Sequence, residues 1–184
     1  MFIQTEPTPN PMTLKFLPGR DVLGEGTRFY TSIKAAAESP LAEELFGVDG
    51  VNAIFLGSDF ITVTKSSDME WSVLKADILT RIMDHFVAEK PVLAEVEAKE
   101  EGNAVNADDS DIVKTIKELI ETRVRPAVAQ DGGDIIFHSF DDGIVRLEMH
   151  GACQGCPSST ITLKNGIENM LKHYIPEVEG VEAA

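Results

Sequence analysis

Hydrophobic and polar positions divide the chain into two patterned stretches with an unpatterned one between them. In the first, Thr13-Leu14-Lys15-Phe16-Leu17 alternates and predicts a strand ending at Pro18-Gly19. Ahead of it, Glu6–Pro11 is expected to be extended, because Pro7, Pro9 and Pro11 disfavour a helix and interrupt strand pairing. Ser39-Pro40 reads as an N-cap followed by proline at the first helical position, opening a short helix through Phe46. Val51–Leu56 and Phe60–Thr64 are strand-like, and Gly57-Ser58-Asp59 between them signals a hairpin. Ser67 and Glu70 stand at capping-box spacing before a helix that places Trp71, Leu74, Ile78, Ile82 and Phe86 on one face. Such a stripe reads as core.

The second patterned stretch opens with Ile112, Ile116, Leu119, Ile120 and Val124 at helical spacing. Pro126 should kink or end that helix, because it lacks the amide the hydrogen-bond ladder needs. Asp131-Gly132-Gly133-Asp134 reads as a turn, and Ile135–Phe140 and Ile144–Met149 as strands joined by the hairpin signal Asp141-Asp142-Gly143. Ser158 or Ser159 should cap a helix facing Leu163, Ile167, Met170, Leu171 and Tyr174 inward, with a short last strand within Glu177–Val181. This mixture predicts an α/β class chain of the α+β kind, with two small domains, each a small sheet packed against helices.

Charge locates the boundary. Residues 89–111 hold 8 acidic against 2 basic side chains, and no aromatic residue. Such a segment has too little apolar surface to offset its ordering entropy, so it is expected to be a flexible acidic linker between domains 1–88 and 112–184. The net charge of −15 leaves no cationic stripe for phosphates, which argues against nucleic acid and anionic membrane surfaces as partners. No apolar run approaches the ~20 residues needed to span a bilayer. Met1-Phe2-Ile3-Gln4-Thr5-Glu6 carries neither a secretory nor a transit pattern, and two cysteines cannot staple a secreted scaffold of this size. A cytoplasmic location is the expectation.

The chemistry is concentrated in Gly151-Ala152-Cys153-Gln154-Gly155-Cys156-Pro157-Ser158-Ser159, which contains both cysteines of the chain. Structural zinc and iron–sulfur clusters typically take four ligands, so one chain supplies half a site. Either the pair works alone as a dithiol, or two chains pool their thiolates around a shared metal centre. The order strand, loop, helix suits an anionic centre: the helix N-terminus offers unpaired amides, and Gly151, Ala152 and Gly155 let backbone N–H groups approach sulfur. The same field is expected to lower the thiol pKa values. Only 28 residues follow Cys156, too few for the sheet that follows a thioredoxin-like dithiol, although a lone CxxC remains weak by itself.

Asp131-Gly132-Gly133-Asp134, the cysteine loop and Leu163-Lys164-Asn165-Gly166-Ile167-Glu168 together resemble the C-terminal domain of NifU and of Nfu-type iron–sulfur proteins. Thr8-Pro9-Asn10-Pro11, Leu14-Lys15-Phe16 and Pro18-Gly19 resemble the N-terminal Nfu domain. The resemblance implies a non-enzymatic scaffold or carrier. It implies a [4Fe–4S] cluster held between two subunits by Cys153 and Cys156, and passed from upstream assembly proteins to recipient apoproteins. The alternative is a thiol–disulfide oxidoreductase in which Cys153 attacks and Cys156 resolves; structural zinc is a third reading. His150 precedes the loop without an assigned role, and His85, His138 and His173 are scattered. Asp131 and Asp134 read as turn formers, and Glu168 and Lys172 as a surface helix pair. The loop is expected to add little to either core.

Overall fold

The computed structural model describes residues 1–94, 103, 105–157 and 159–184. Its first half is a five-stranded antiparallel sheet in the order β1-β2-β5-β4-β3, made by β1 (Gln4–Pro7), β2 (Thr13–Leu17), β3 (Arg28–Tyr30), β4 (Val51–Leu56) and β5 (Ile61–Lys65). Two helices, α1 (Pro40–Phe46) and α2 (Trp71–Val87), cover it. The prolines do not prevent pairing: β1 registers with β2 from Gln4↔Leu17 to Pro7↔Leu14. β1 tolerates Pro7 because it is the outermost strand, where a missing amide need not break a ladder.

Ser39 caps α1 as its sequence indicates, its hydroxyl accepting from the Ala42 amide at 3.2 Å, with Pro40 in the first turn. The capping box expected ahead of α2 does not form. Glu70 occupies the cap position without a side-chain hydrogen bond. Leu74, Ile78, Ile82 and Phe86 are buried against the sheet with Phe16, Ile54 and Ile61, whereas Trp71 packs at the margin and donates its indole N–H to the Pro11 carbonyl. β3 and a short 3₁₀ turn at Ala35–Glu38 lie in a stretch where no periodicity foretold them.

The second half is a three-stranded sheet, β6 (Gly133–Asp141), β7 (Ile144–Gly151) and β8 (Gly180–Ala183), with β7–β8 parallel and α5 (Ser159–Tyr174) as the crossover. Asp142 and Gly143 form a two-residue hairpin with φ of 49° and 79°, the pair of positive values a type I′ turn requires. Helix α3 (Asp111–Leu119) runs through a π-helical turn at Ile120–Val124 into α4 (Arg125–Gln130). Pro126 therefore neither ends the helix nor stands alone. The wider turn before it loosens the ladder where proline lacks its amide. Ile116, Ile120, Ile135, Leu147, Ile167 and Leu171 make a second buried cluster, separate from the first. Tyr174, expected to face inward, is 48% exposed.

Much of the acidic stretch, residues 95–102 and 104, lies outside the described residues. Asn103, within the same stretch, is buried. It donates to the Ile135 carbonyl at 3.3 Å and accepts from the Phe137 amide at 2.6 Å, standing in for a neighbouring strand on the free edge of β6.

Candidate functional site

The two cysteines follow the end of β7. Gly133 pairs with Gly151 across the sheet, and the Ala152 amide donates to the Gly132 carbonyl at 3.1 Å, so the loop is tied to the Asp131–Asp134 turn beside it. Close approach makes Gly133 a requirement of the site. A Cβ there would lie 2.6 Å from Cys153 Sγ, 2.8 Å from the His150 carbonyl oxygen and 3.0 Å from the Cys153 amide nitrogen. Only a residue without a side chain lets Cys153 lie over this strand.

Both thiols are enclosed: Cys153 is 4% and Cys156 0% exposed, and neither is in a disulfide. Cys153 packs with Ile135, Leu147 and Ile167, so the loop does contribute to a core, contrary to expectation. The expected lowering of the thiol pKa is also overturned for Cys153, whose thiol is pushed up to about 12. Burial is the first cause, because it penalises the charged thiolate; the carboxylates of Asp131 and Asp134 and the neighbouring Cys156 add to it. Ser158, one of the two expected caps, lies outside the described residues.

Asp134 is more than a turn former. It is 2% exposed and receives two charge-assisted hydrogen bonds from Arg125, Nε to Oδ1 and Nη2 to Oδ2, both at 2.7 Å. This carboxylate and the hydrogen-bonded Glu121 hold the guanidinium pKa above its ordinary value despite partial burial. The Asp-x-x-Asp spacing gave no hint of this pair, because its partner lies on α4. His150 stacks on Phe29 with ring centroids 4.9 Å apart, and its Nε2 lies 3.4 Å from Glu148 Oε2. Glu168 and Lys172 do pair, at 2.6 Å, and Glu168 also accepts from the Val181 amide, fixing β8 to α5. Among the described residues, no group of three or more His, Cys, Asp or Glu side chains is arranged to hold a metal ion.

The loop turns Gln154, Gly155 and Pro157 to solvent but keeps both sulfurs inward. Cys156 donates its S–H to the Pro9 carbonyl at 3.5 Å, and Asn10 Nδ2 donates to the Gln154 carbonyl at 3.1 Å. The Thr8–Pro11 segment of the first half thus lies on the Gln154–Cys156 side of the Cys-x-x-Cys loop. The strands β4 and β5 lie against β7.

Residues 3–90 match the family described as scaffold protein Nfu/NifU N terminal, and residues 116–182 match the NifU-like domain. Over 183 residues, 99% of the chain, it is 52% identical to the mitochondrial NFU1 iron-sulfur cluster scaffold homologs of Homo sapiens and Drosophila willistoni. Over 185 residues it is 51% identical to NifU-like protein 4, mitochondrial, of Arabidopsis thaliana. The chain spans 71%, 63% and 65% of the lengths of these three relatives. It belongs to the Nfu/NifU scaffold family, which confirms the resemblance read from its motifs. The cytoplasmic expectation is corrected, since relatives this similar are named as mitochondrial proteins. Among the described residues no helix is long and apolar enough to cross a membrane.

Proposed function

We propose that this member of the Nfu/NifU scaffold family carries a [4Fe–4S] cluster between two copies of itself, each contributing Cys153 and Cys156. The cluster is cargo, received from upstream assembly proteins and surrendered to recipient apoproteins; the protein carries it without catalysing a reaction. The observation that carries this reading is the cysteine pair, three residues apart within the NifU-like segment, with two soft thiolate donors per chain and four required. The surroundings suit the cargo. Gly133 lets Cys153 lie directly on the strand, and the small residues of the loop allow backbone amides to approach sulfur. Two ligands per chain also favour release, because an incoming thiolate can displace one at the edge of a shared site.

The family relationship supports the scaffold role, and the burial of Cys153 weighs against the alternative. A thiol–disulfide oxidoreductase attacks with an accessible thiolate, whereas the Cys153 thiol is enclosed and pushed up to about 12. Native mass spectrometry after anaerobic reconstitution tests the proposal. The expected species is a dimer of two chains with one cluster, reverting to monomer on chelation of iron. A monomer holding an intact cluster would refute the shared site.

A further inference from the structure

The cysteine loop of the second half is roofed by the first, and this contact is incompatible with two loops meeting around one cluster. We infer that the N-terminal domain is a cap docked on the cysteine loop, and that two chains share a cluster only after this contact opens. The inference rests on the shared-site reading above and adds its regulation.

The cap is a built surface rather than a chance approach. Besides Pro9 and Asn10 over the loop, Thr62 on β5 donates its hydroxyl to the Gly132 carbonyl at 2.8 Å. That carbonyl is within reach only because Gly132, with a φ of 80°, has no side chain. A Cβ there would lie 2.8 Å from Thr62 Oγ1. Thr27 donates to Asp134 Oδ2 at 2.8 Å, adding an N-terminal-domain hydroxyl to the Arg125 pair. Lys15 places its ammonium on the last carbonyls of α4, 3.4 Å from that of Ala129 and 3.1 Å from that of Gln130, where the helix dipole favours a cation. The Phe29–His150 stack closes the remaining side.

The same contacts explain why the cap can leave. Most of them are single hydrogen bonds to backbone carbonyls, each exchanged for a bond to water on opening. The two hydrophobic clusters are separate, so separation dismantles neither. Polar contacts of this kind, beside a small aromatic patch of Phe29 and Phe55 against His150 and Gly151, characterise interfaces within a chain that form and break. In the docked arrangement Cys156 has no exposed surface and its sulfur is directed at Pro9, so neither an assembly protein nor a second chain can reach it. Docking thus keeps the Cys156 thiol from reacting, and undocking exposes it, while Cys153 stays within the core of the second half.

The test uses the full-length apo protein and two sets of substitutions away from both cores and both cysteines. Asn10→Asp keeps the oxygen that accepts from the Met12 amide but sets a carboxylate against the Gln154 carbonyl. Combined with Thr62→Val, it removes two docking bonds; Thr27→Val, remote from the loop, removes a third. Alkylation of Cys156 by iodoacetamide is followed by mass spectrometry, with Cys153 as the internal reference that opening leaves enclosed and the radius of gyration taken from small-angle scattering. Wild-type Cys156 should be protected relative to the urea-unfolded chain. The double variant should react roughly tenfold faster and Thr27→Val roughly two- to fivefold faster, given the modest net worth of such hydrogen bonds. Both should have a larger radius of gyration, unchanged circular dichroism and faster anaerobic cluster uptake. A wild-type Cys156 as reactive as in the unfolded chain, or variants that change neither rate nor radius, would overturn the cap. So would a wild-type protein that forms the loaded dimer as fast as the opened variants, and that result would leave the shared site intact. If the variants open and expose Cys156 but no form binds iron and sulfide, the cap stands and the cluster reading falls.

Discussion

Replacing Gly133 by alanine should damage the site through a single methyl group. The new Cβ would lie 2.6 Å from Cys153 Sγ, about 1 Å inside the ordinary contact distance for such atoms. Two of its three nearest neighbours, at 2.8 and 3.0 Å, are backbone atoms of His150 and Cys153, held by the β6–β7 ladder and the loop tied to it. They cannot swing aside as the end of a flexible side chain could, so strand and loop must separate. Overpacking of this kind costs about 1–3 kcal/mol. Gly166, on the exposed face of α5, is the control, since a Cβ there would meet nothing within 4 Å. Alanine at that position should stabilise by about 0.5–1 kcal/mol because helical glycine is entropically costly. Amide hydrogen exchange of β6 and β7 would read the stability of the second half directly. Anaerobic iron and sulfide uptake would read the site. Gly133→Ala should accelerate exchange and lose most cluster binding, while Gly166→Ala should slow exchange and bind normally. A Gly133→Ala protein with wild-type exchange and full loading would show that Cys153 does not depend on this close approach.

The cysteines should differ on substitution. Cys156→Ser should lose the cluster with little change in stability, because a hydroxyl can still donate to the Pro9 carbonyl, whereas Cys153→Ser should also lose about 1–2 kcal/mol by placing a hydroxyl among Ile135, Leu147 and Ile167, a contrast that denaturation of both apo proteins would show. Apo stability should fall above about pH 9: the unfolded chain loses the Cys153 proton near its ordinary value of 9.0 while the folded chain keeps it to about 12, so up to ~1.4 kcal/mol is lost per pH unit between them, a slope that thermal melts should find absent in Cys153→Ser. Asp134→Asn should lower the Cys153 pKa by removing a nearby negative charge, and destabilise by about 1.5–3 kcal/mol by weakening the charge-assisted bonds of Arg125, which keeps Glu121, checked by thiolate absorbance and urea unfolding.

What the sequence revealed follows from where each signal lives. The α2 stripe, the Ser39-Pro40 start of α1 and the Asp142-Gly143 hairpin are decided by residues close together in the chain, and all three form. The break in pairing expected at Pro7 and the helix end allowed for at Pro126 do not occur, because a proline's effect depends on its surroundings. At the edge of a sheet no ladder needs the missing amide, and after a π-helical turn the ladder has already loosened. β3 is three residues long and takes its place from pairing with β4, leaving no period to read.

The site shows the same division more sharply. Cys153 and Cys156 are legible because a half-set of thiolates is meaningful at three-residue spacing, whatever lies around it. Their environment is not legible, because it is assembled from the other half of the chain and largely from main-chain atoms. Pro9, Gly132, Ala129, Gln130 and Gln154 take part through carbonyl oxygens, which every residue carries and no composition or periodicity marks. The side chains that reach them, Asn10, Lys15 and Thr62, each read locally as a turn or strand residue. A loop judged alone therefore suggests an exposed, activated thiolate at a helix start, while the folded chain holds a buried, protonated thiol beside two carboxylates. The difference has a functional consequence. Two open thiolates per chain would be as ready to oxidise or take up stray metal as to meet a second chain, whereas under the proposed cap the Cys156 thiol, held against the Pro9 carbonyl, would be free to ligate only after the contact opens. The selectivity of the half-site then lies in the contact between the two domains as much as in the cysteines themselves.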